Sequence, residues 1–390
     1  MSSVWEIRRQ KNLALLEIFM AKKLLININM KNYCPDLYQN LFVQKVNENQ
    51  VQLGHCCVSK LSEPTDNIDF QHTYLKQNRE QYLHTQELPD ACSHCIRAEG
   101  IGLASRRTNH LKADWHPVEF RMRNLDYNCD NICNLKCIMC SSYYSSAWIE
   151  DEIKLGRKVE PRIKPTKHNN LFYTLDANSI HNLYFNGGEP LMTRDHINVL
   201  NHIIAAGAAH QVAVNYSSNG TFGITDELKS IWSQFRKVNI GFSIDAAHEV
   251  YEFVRYPANW AEVSANLIEY RQHASDRFTQ SIQVTIGLHN VLYFDQLYQW
   301  AQDHGYRVVI QGDTLGTNQL SLLNFPVQHK SVLMEYLLAL PDSDAKDSLI
   351  NLSHHITGGN ARWIAWLDQL DAIRGTDWRT TLSRVNDLIK

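Results

Sequence analysis

Residues 133–140 read Cys133-Asn134-Leu135-Lys136-Cys137-Ile138-Met139-Cys140. Three thiolates spaced this way can bind three irons of a [4Fe–4S] cube and leave the fourth iron open. Proteins that only carry electrons supply four cysteines to such a cube. A missing fourth ligand therefore points to an exchangeable group that completes the site. Zinc is the alternative occupant, although it usually takes two separated cysteine pairs rather than three cysteines in one run.

Working outward from the run, residues 118–312 repeat a strand-then-helix pattern. Strands are expected at 118–128, 181–185, 211–217, 237–244, 281–287 and 306–311. Helices are expected at 141–155, 195–208, 226–235, 260–274 and 294–303. Short apolar strands separated by helices of this length argue for a parallel sheet with right-handed crossovers. A doubly wound sheet and an open six-stranded barrel both fit, because periodicity does not record strand order. On either arrangement the cysteine run follows the first strand, at the C-terminal edge where active sites of parallel barrels are built. Residues 156–173, with Pro161 and Pro165, read as an insertion after the first helix. The chain divides into an N-terminal extension at 1–30, expected to be helical, a cysteine-rich region at 31–117, the strand–helix unit at 118–315, and a helical region at 316–390. In the last, Trp363, Trp366 and Trp378 are suited to packing.

The chain has 390 residues, 44% of them hydrophobic, and a formal net charge of -3. No global basic field points to nucleic acid. The local cluster of Arg157, Lys158, Arg162 and Lys164 is interspersed with Glu150, Asp151, Glu152 and Glu160, so it reads as a solvated face. No apolar run reaches the length of a membrane span. The first 30 residues mix Arg8, Arg9, Lys11, Lys22 and Lys23 with Glu6 and Glu17, a poor secretion signal. Met30 offers a second start. A cytoplasmic location is the expectation. The nine cysteines occupy positions 34, 56, 57, 92, 95, 129, 133, 137 and 140. An odd, clustered set without a secretion signal favours metal ligation over disulfides.

Other strand ends carry small, polar or acidic residues. The second ends in Gly187-Gly188-Glu189-Pro190, where glycines let the backbone approach a ligand closely and a carboxylate can accept from an ammonium group. Ser217, Ser218 and Asn219 close the third strand, and Ser243 and Asp245 the fourth. The run Tyr251-Glu252-Phe253-Val254-Arg255-Tyr256-Pro257 follows. Cys129 lies four residues ahead of Cys133 and reads as a free thiol.

The triad and the Gly-Gly-Glu-Pro segment about 50 residues later together resemble the signature of the radical S-adenosylmethionine (SAM) enzymes. That resemblance implies a partial (β/α)6 TIM-like barrel. It also implies a [4Fe–4S] cluster on Cys133, Cys137 and Cys140, with SAM on the open iron through its amino and carboxylate groups. Met139 would pack by the adenine, and Gly187, Gly188 and Glu189 would serve the methionine amino group. Ser217, Asn219, Ser243 and Asp245 would line the cofactor, and Arg255 would meet its carboxylate or the substrate. Reductive cleavage of SAM to methionine and a 5′-deoxyadenosyl radical would follow, with hydrogen abstraction from a substrate. Flavodoxin or ferredoxin would donate the electron. Cys34, Gly54, Cys56-Cys57 and Cys92-Ser93-His94-Cys95 are similar to the auxiliary modules called SPASM or twitch domains. They imply a second [4Fe–4S] cluster on Cys34, Cys92, Cys95 and one of Cys56 or Cys57, with structural zinc as the alternative. Branches with such modules often modify peptides or protein side chains. A nucleoside, sugar or other small molecule is the alternative substrate, and a multi-cluster electron-transfer protein the alternative of another class.

Overall fold

The computed structural model describes residues 32–100, 102, 105–112, 119–163, 175–311, 318–359 and 361–388. The expected N-terminal helix, Met30 and residues 164–173 of the insertion lie outside the described residues.

Eight strands form one sheet in the order β2-β1-β3-β4-β5-β6-β7-β8. They are β1 (Asn40–Lys45), β2 (Val51–Gly54), β3 (Asn124–Asn128), β4 (Asn182–Asn186), β5 (Ala213–Ser218), β6 (Lys237–Ser243), β7 (Phe278–Val284) and β8 (Arg307–Ile310). From β1 through β8 every pairing is parallel except the β1–β2 hairpin. Strand order follows chain order with no reversal from β3 onward, which removes the doubly wound alternative, since that fold turns back at a switch point. The edge strands β2 and β8 do not pair, so the sheet is open.

The helices are α1 (Pro35–Gln39), α2 (Thr73–Thr85), α3 (Ser93–Gly100), α4 (Arg106–His110), α5 (Trp148–Lys154), α6 (Asp195–Ala205), α7 (Asp226–Trp232) and α8 (His248–Val254). They continue with α9 (Trp260–Gln272), α10 (Phe294–Asp303), α11 (Lys330–Ala339), α12 (Asp344–His354), α13 (Arg362–Arg374), α14 (Trp378–Thr381) and α15 (Ser383–Asn386). No helix among the described residues is long and apolar enough to cross a membrane.

Alternation along the strands separates two faces. Tyr127, Phe185 and Tyr216 share one register row. Tyr216 meets His196 of α6 at 3.0 Å and Trp232 of α7 at 3.2 Å, so this row packs on the helices. The neighbouring row, Asp126, Tyr184, Asn215, Asn239 and Thr279, faces the other way and is polar. Its members bond across strands: Thr279 Oγ1 donates to Asn239 at 2.5 Å, and Asn239 Nδ2 to Asn215 at 2.8 Å.

The N-terminal region departs from expectation. Rather than standing apart, it adds β1 and β2 to the sheet beside β3, making eight strands where six were expected. Asn40, Gln44 and Lys45 interrupt the apolar run of β1, yet each is buried and paired. Asn40 Nδ2 donates to His55 O at 2.8 Å, Gln44 accepts from Asn128 at 2.8 Å, and Lys45 meets Asp195 at 2.5 Å.

Several element bounds also differ, and three have a visible cause. The helix expected from 141 begins at Trp148, because hydroxyls of 141–147 bind backbone elsewhere. Ser145 Oγ donates to Leu135 O at 2.6 Å, and Ser142 Oγ accepts from Glu160 N at 2.8 Å. The strand expected to reach 287 ends at Val284. Beyond it, side chains capture the amides: Asp245 takes Thr285 N at 2.8 Å, and Asn290 takes Gly287 N at 2.9 Å. Strand β3 begins at Asn124 rather than 118, and Arg121 N and Arg123 N bond instead to Tyr38 O and Gln39 O.

Candidate active site at the C-terminal strand edge

Cys133, Cys137 and Cys140 lie in the loop after β3, with Cys137 buried and the other two half-buried. Burial pushes Cys133 up to about 12 and raises Cys137 and Cys140. Neighbouring thiols add to this: Cys137 raises Cys133, and both raise Cys140. N–H groups point at the sulfurs. Asn219 Nδ2 is 3.7 Å from Cys133 Sγ, Leu135 N is 3.5 Å from the same sulfur, and Arg255 Nη1 is 3.7 Å from Cys137 Sγ. Such donors suit anionic sulfur, the state a thiol adopts on metal, so the loop fits a thiolate-ligated centre.

Segments distant in sequence hold the loop's backbone. Lys136 N donates to Tyr256 O at 2.6 Å and Ile138 N to Val254 O at 2.9 Å, which is the work of the 251–257 run. Two indoles take the next carbonyls: Trp148 Nε1 donates to Cys137 O and Trp366 Nε1 to Ile138 O, both at 3.0 Å. Their rings stack 5.8 Å apart. Trp366 belongs to α13, so the C-terminal helical region braces the cysteine loop. Arg374 adds an ion pair to Asp151 at 2.8 Å. Neither contact was foreseen, and spacing of tryptophans alone carries no signal for it.

The Gly187–Glu189 segment packs on the same loop. Gly188 N donates to Asp130 O and Glu189 N to Ile132 O, both at 2.8 Å. A Cβ on Gly188 would overlap the Ile132 carbonyl and lie 2.7 Å from Ile132 N. Gly187 has φ +122, and its Cβ would lie 2.6 Å from Asp130 O. The space left by the glycines is thus filled by the cysteine loop. We predict that Gly188→Ala displaces this loop: iron retained per chain after anaerobic reconstitution falls, and the urea midpoint drops with a loss of unfolding free energy typical of overpacking, about 1–3 kcal/mol. Wild-type iron content and midpoint would contradict this.

Glu189 is buried, and its pKa is pushed up to about 7 by desolvation, opposed by bonds to its carboxylate. Those bonds come from Asn219 N at 2.6 Å, Leu191 N at 3.1 Å and Ser218 Oγ at 3.0 Å. Three donors of the chain therefore occupy the group expected to meet an ammonium, and they tie the ends of β4 and β5 together. Arg255, expected to meet a cofactor carboxylate, instead pairs with buried Asp245 at 2.6 Å. Burial raises Asp245, with Arg255 acting against it. Ser217 Oγ lies 2.6 Å from Tyr184 OH on the polar face, Ser243 is half-buried at the end of β6, and Met139 is half-buried against the core. At this edge the buried amide oxygens of Asn128 and Asn186 have no hydrogen-bond partner. Sequence reasoning missed both asparagines. Cys129 is 1% exposed within the main apolar core.

A second cavity gathers the upstream cysteines. Cys34, Cys56, Cys92 and Cys95 line it together, with Arg106 and Arg107 in its wall. Cys57 does not line it. This residue is exposed on the surface side, where Arg106 Nη1 reaches its sulfur at 3.3 Å. Of the two adjacent cysteines, Cys56 is the one that shares the cavity. Arg106 also bonds Asp36 at 2.7 Å and Asp126 of β3 at 2.9 Å, linking this cavity to the sheet. Among the described residues no three His, Cys, Asp or Glu side chains converge on a single ion.

No family model matches the chain, and no curated protein matches it. Among solved structures, native anSMEcpe with bound AdoMet and Kp18Cys peptide is similar at 15% identity, with 48% of this chain and 50% of that one covered and a TM-score of 0.37. Native anSMEcpe with bound AdoMet alone is similar at 14% identity, over 55% and 59% of the two chains, with a TM-score of 0.40. Streptococcus suis SuiB bound to S-adenosylmethionine is similar at 9% identity, over 76% and 67%, with a TM-score of 0.33. The aligned part spans about half the length of the first of these. At scores this low the likeness carries neither fold nor chemistry across to this chain.

Proposed function

We propose that this chain is a radical SAM enzyme whose open sheet is a partial (β/α)6 barrel extended at one edge by β1 and β2. One observation carries the reading: three cysteines lie in the one loop that follows β3, with the Gly-Gly-Glu segment at the end of β4 packed directly on that loop. Cys133, Cys137 and Cys140 would hold the [4Fe–4S] cluster and leave one iron for SAM. A cluster held there would supply, when reduced, the electron for cleavage of SAM to methionine and the 5′-deoxyadenosyl radical. Arg255 and Asn219 stabilise negative charge on Cys137 and Cys133 through N–H donors. Asn128 and Asn186 offer unpaired acceptors to a donor-bearing ligand, because a buried polar group left without one costs stability. Met139 and the polar strand ends remain the proposed contacts of adenine and ribose.

Cys34, Cys56, Cys92 and Cys95 are the proposed ligands of a second [4Fe–4S] cluster in a twitch- or SPASM-like region. The proposed substrate is a peptide or protein side chain, supported by the likeness of that cysteine set to auxiliary modules. Flavodoxin or ferredoxin is the proposed reductant, and the cytoplasm the proposed location. The test is anaerobic reconstitution followed by SAM and dithionite. Release of 5′-deoxyadenosine, with about eight irons per chain, is expected. Absence of that product would leave the chain an electron carrier or a scaffold.

A further inference from the structure

The second cavity has one further lining residue that no cysteine pattern accounts for. His55 lines it beside Cys34, Cys56, Cys92 and Cys95. The residue is 1% exposed, and neither ring nitrogen has a hydrogen-bond partner. An imidazole fully sequestered in this way normally pairs at least one nitrogen, because burial without a partner is costly.

The backbone pins this ring against the cavity. His55 N donates to Ser59 Oγ at 3.0 Å, and His55 O accepts from Asn40 Nδ2 at 2.8 Å. Ser59 Oγ also donates to Cys56 O at 2.9 Å, closing the turn that carries both residues. A Cβ on Gly54 would lie 2.6 Å from Ser59 Oγ, so glycine is needed just ahead of the turn. An imidazole carries at least one ring N–H in either tautomer.

We propose that His55 donates its ring N–H to a sulfur of the metal centre held by Cys34, Cys56, Cys92 and Cys95, and so tunes that centre's reduction potential. The inference rests on reading these four cysteines as a [4Fe–4S] site. Four thiolates satisfy all four irons of such a cube, which leaves the imidazole the role of donor rather than ligand. Hydrogen bonds to cluster sulfur stabilise the more negative, reduced state and raise the potential.

The second site is read alone in a Cys133→Ala, Cys137→Ala, Cys140→Ala background. Iron and sulfide per chain are counted, and the reduction is followed by electron paramagnetic resonance during a redox titration. This background is expected to keep about four irons per chain. Adding His55→Leu is expected to retain that iron and move the midpoint to a more negative potential. His55→Asn, which keeps an N–H, is expected to move it less. Should the leucine variant fail to fold, His55→Met carries the same comparison. An unchanged midpoint with iron retained overturns the donor role. Loss of iron on His55→Leu in a folded chain overturns it in favour of ligation. Zinc, or no metal, in the parent background shows instead that the four-cysteine reading has failed, and the inference falls with it.

Discussion

Replacing Cys137 with alanine is expected to reduce release of 5′-deoxyadenosine from SAM and dithionite to the protein-free background. Cys137 is the most buried of the three thiols, and Arg255 Nη1 reaches its sulfur. With two thiolates left, one more iron loses its protein ligand, and the cube has too few anchors to persist. Reconstituted iron should fall by about four per chain, while the irons on the upstream cysteines stay. The loss is chemical rather than structural: alanine removes only the sulfur, and the loop remains held by Trp148, Trp366, Val254 and Tyr256. Cys129→Ala is the control. That thiol sits in the apolar core, so product release should continue while the urea midpoint falls. Wild-type product release by the Cys137 variant would sink the radical SAM reading.

The second large effect concerns the seam between the N-terminal region and the rest of the sheet. Lys45 on β1 and Asp195 at the start of α6 are 0% and 1% exposed and 2.5 Å apart. Asp195→Ala removes the partner and leaves an ammonium enclosed in protein. Breaking a buried pair on one side typically costs about 3–5 kcal/mol. Replacing both charges with apolar groups is often close to neutral, so adding Lys45→Met to Asp195→Ala should recover much of the loss. Urea midpoints of the single and double variants check this. A double variant no more stable than Asp195→Ala would show that the buried charge is not the cause. The seam also matters to the proposed chemistry, because β1 sets the second cysteine cavity beside β3, whose following loop carries the triad.

Much of the fold was legible because it is written locally. The strand-then-helix alternation from β3 to β8 follows from short apolar runs and their intervening helices, and α10 matches its expected bounds of 294–303. The triad and Gly187–Glu189 could be read because each is a short motif at a strand end. Less legible was what those residues touch. Glycine type announced a close approach, but not that the approaching group is the cysteine loop. Glu189 was visible as a charged group at a strand end and Arg255 in the run beyond the fourth strand, while their partners come from β5 and from Asp245, just beyond the end of β6.

The sequence by itself determined the donor chemistry, the order of elements and the edge of the sheet where the triad falls, because spacing and periodicity are properties of neighbouring residues. Tertiary structure alone decided that β1 pairs with β3, that Cys56 rather than Cys57 shares the second cavity, and that His55 joins it. It alone brought Trp366 to the carbonyl of Ile138, 228 residues away. Each of these depends on which surfaces meet once apolar area is buried. A buried lysine, an unpaired imidazole or an indole N–H acquires its meaning from a partner that the local pattern does not contain.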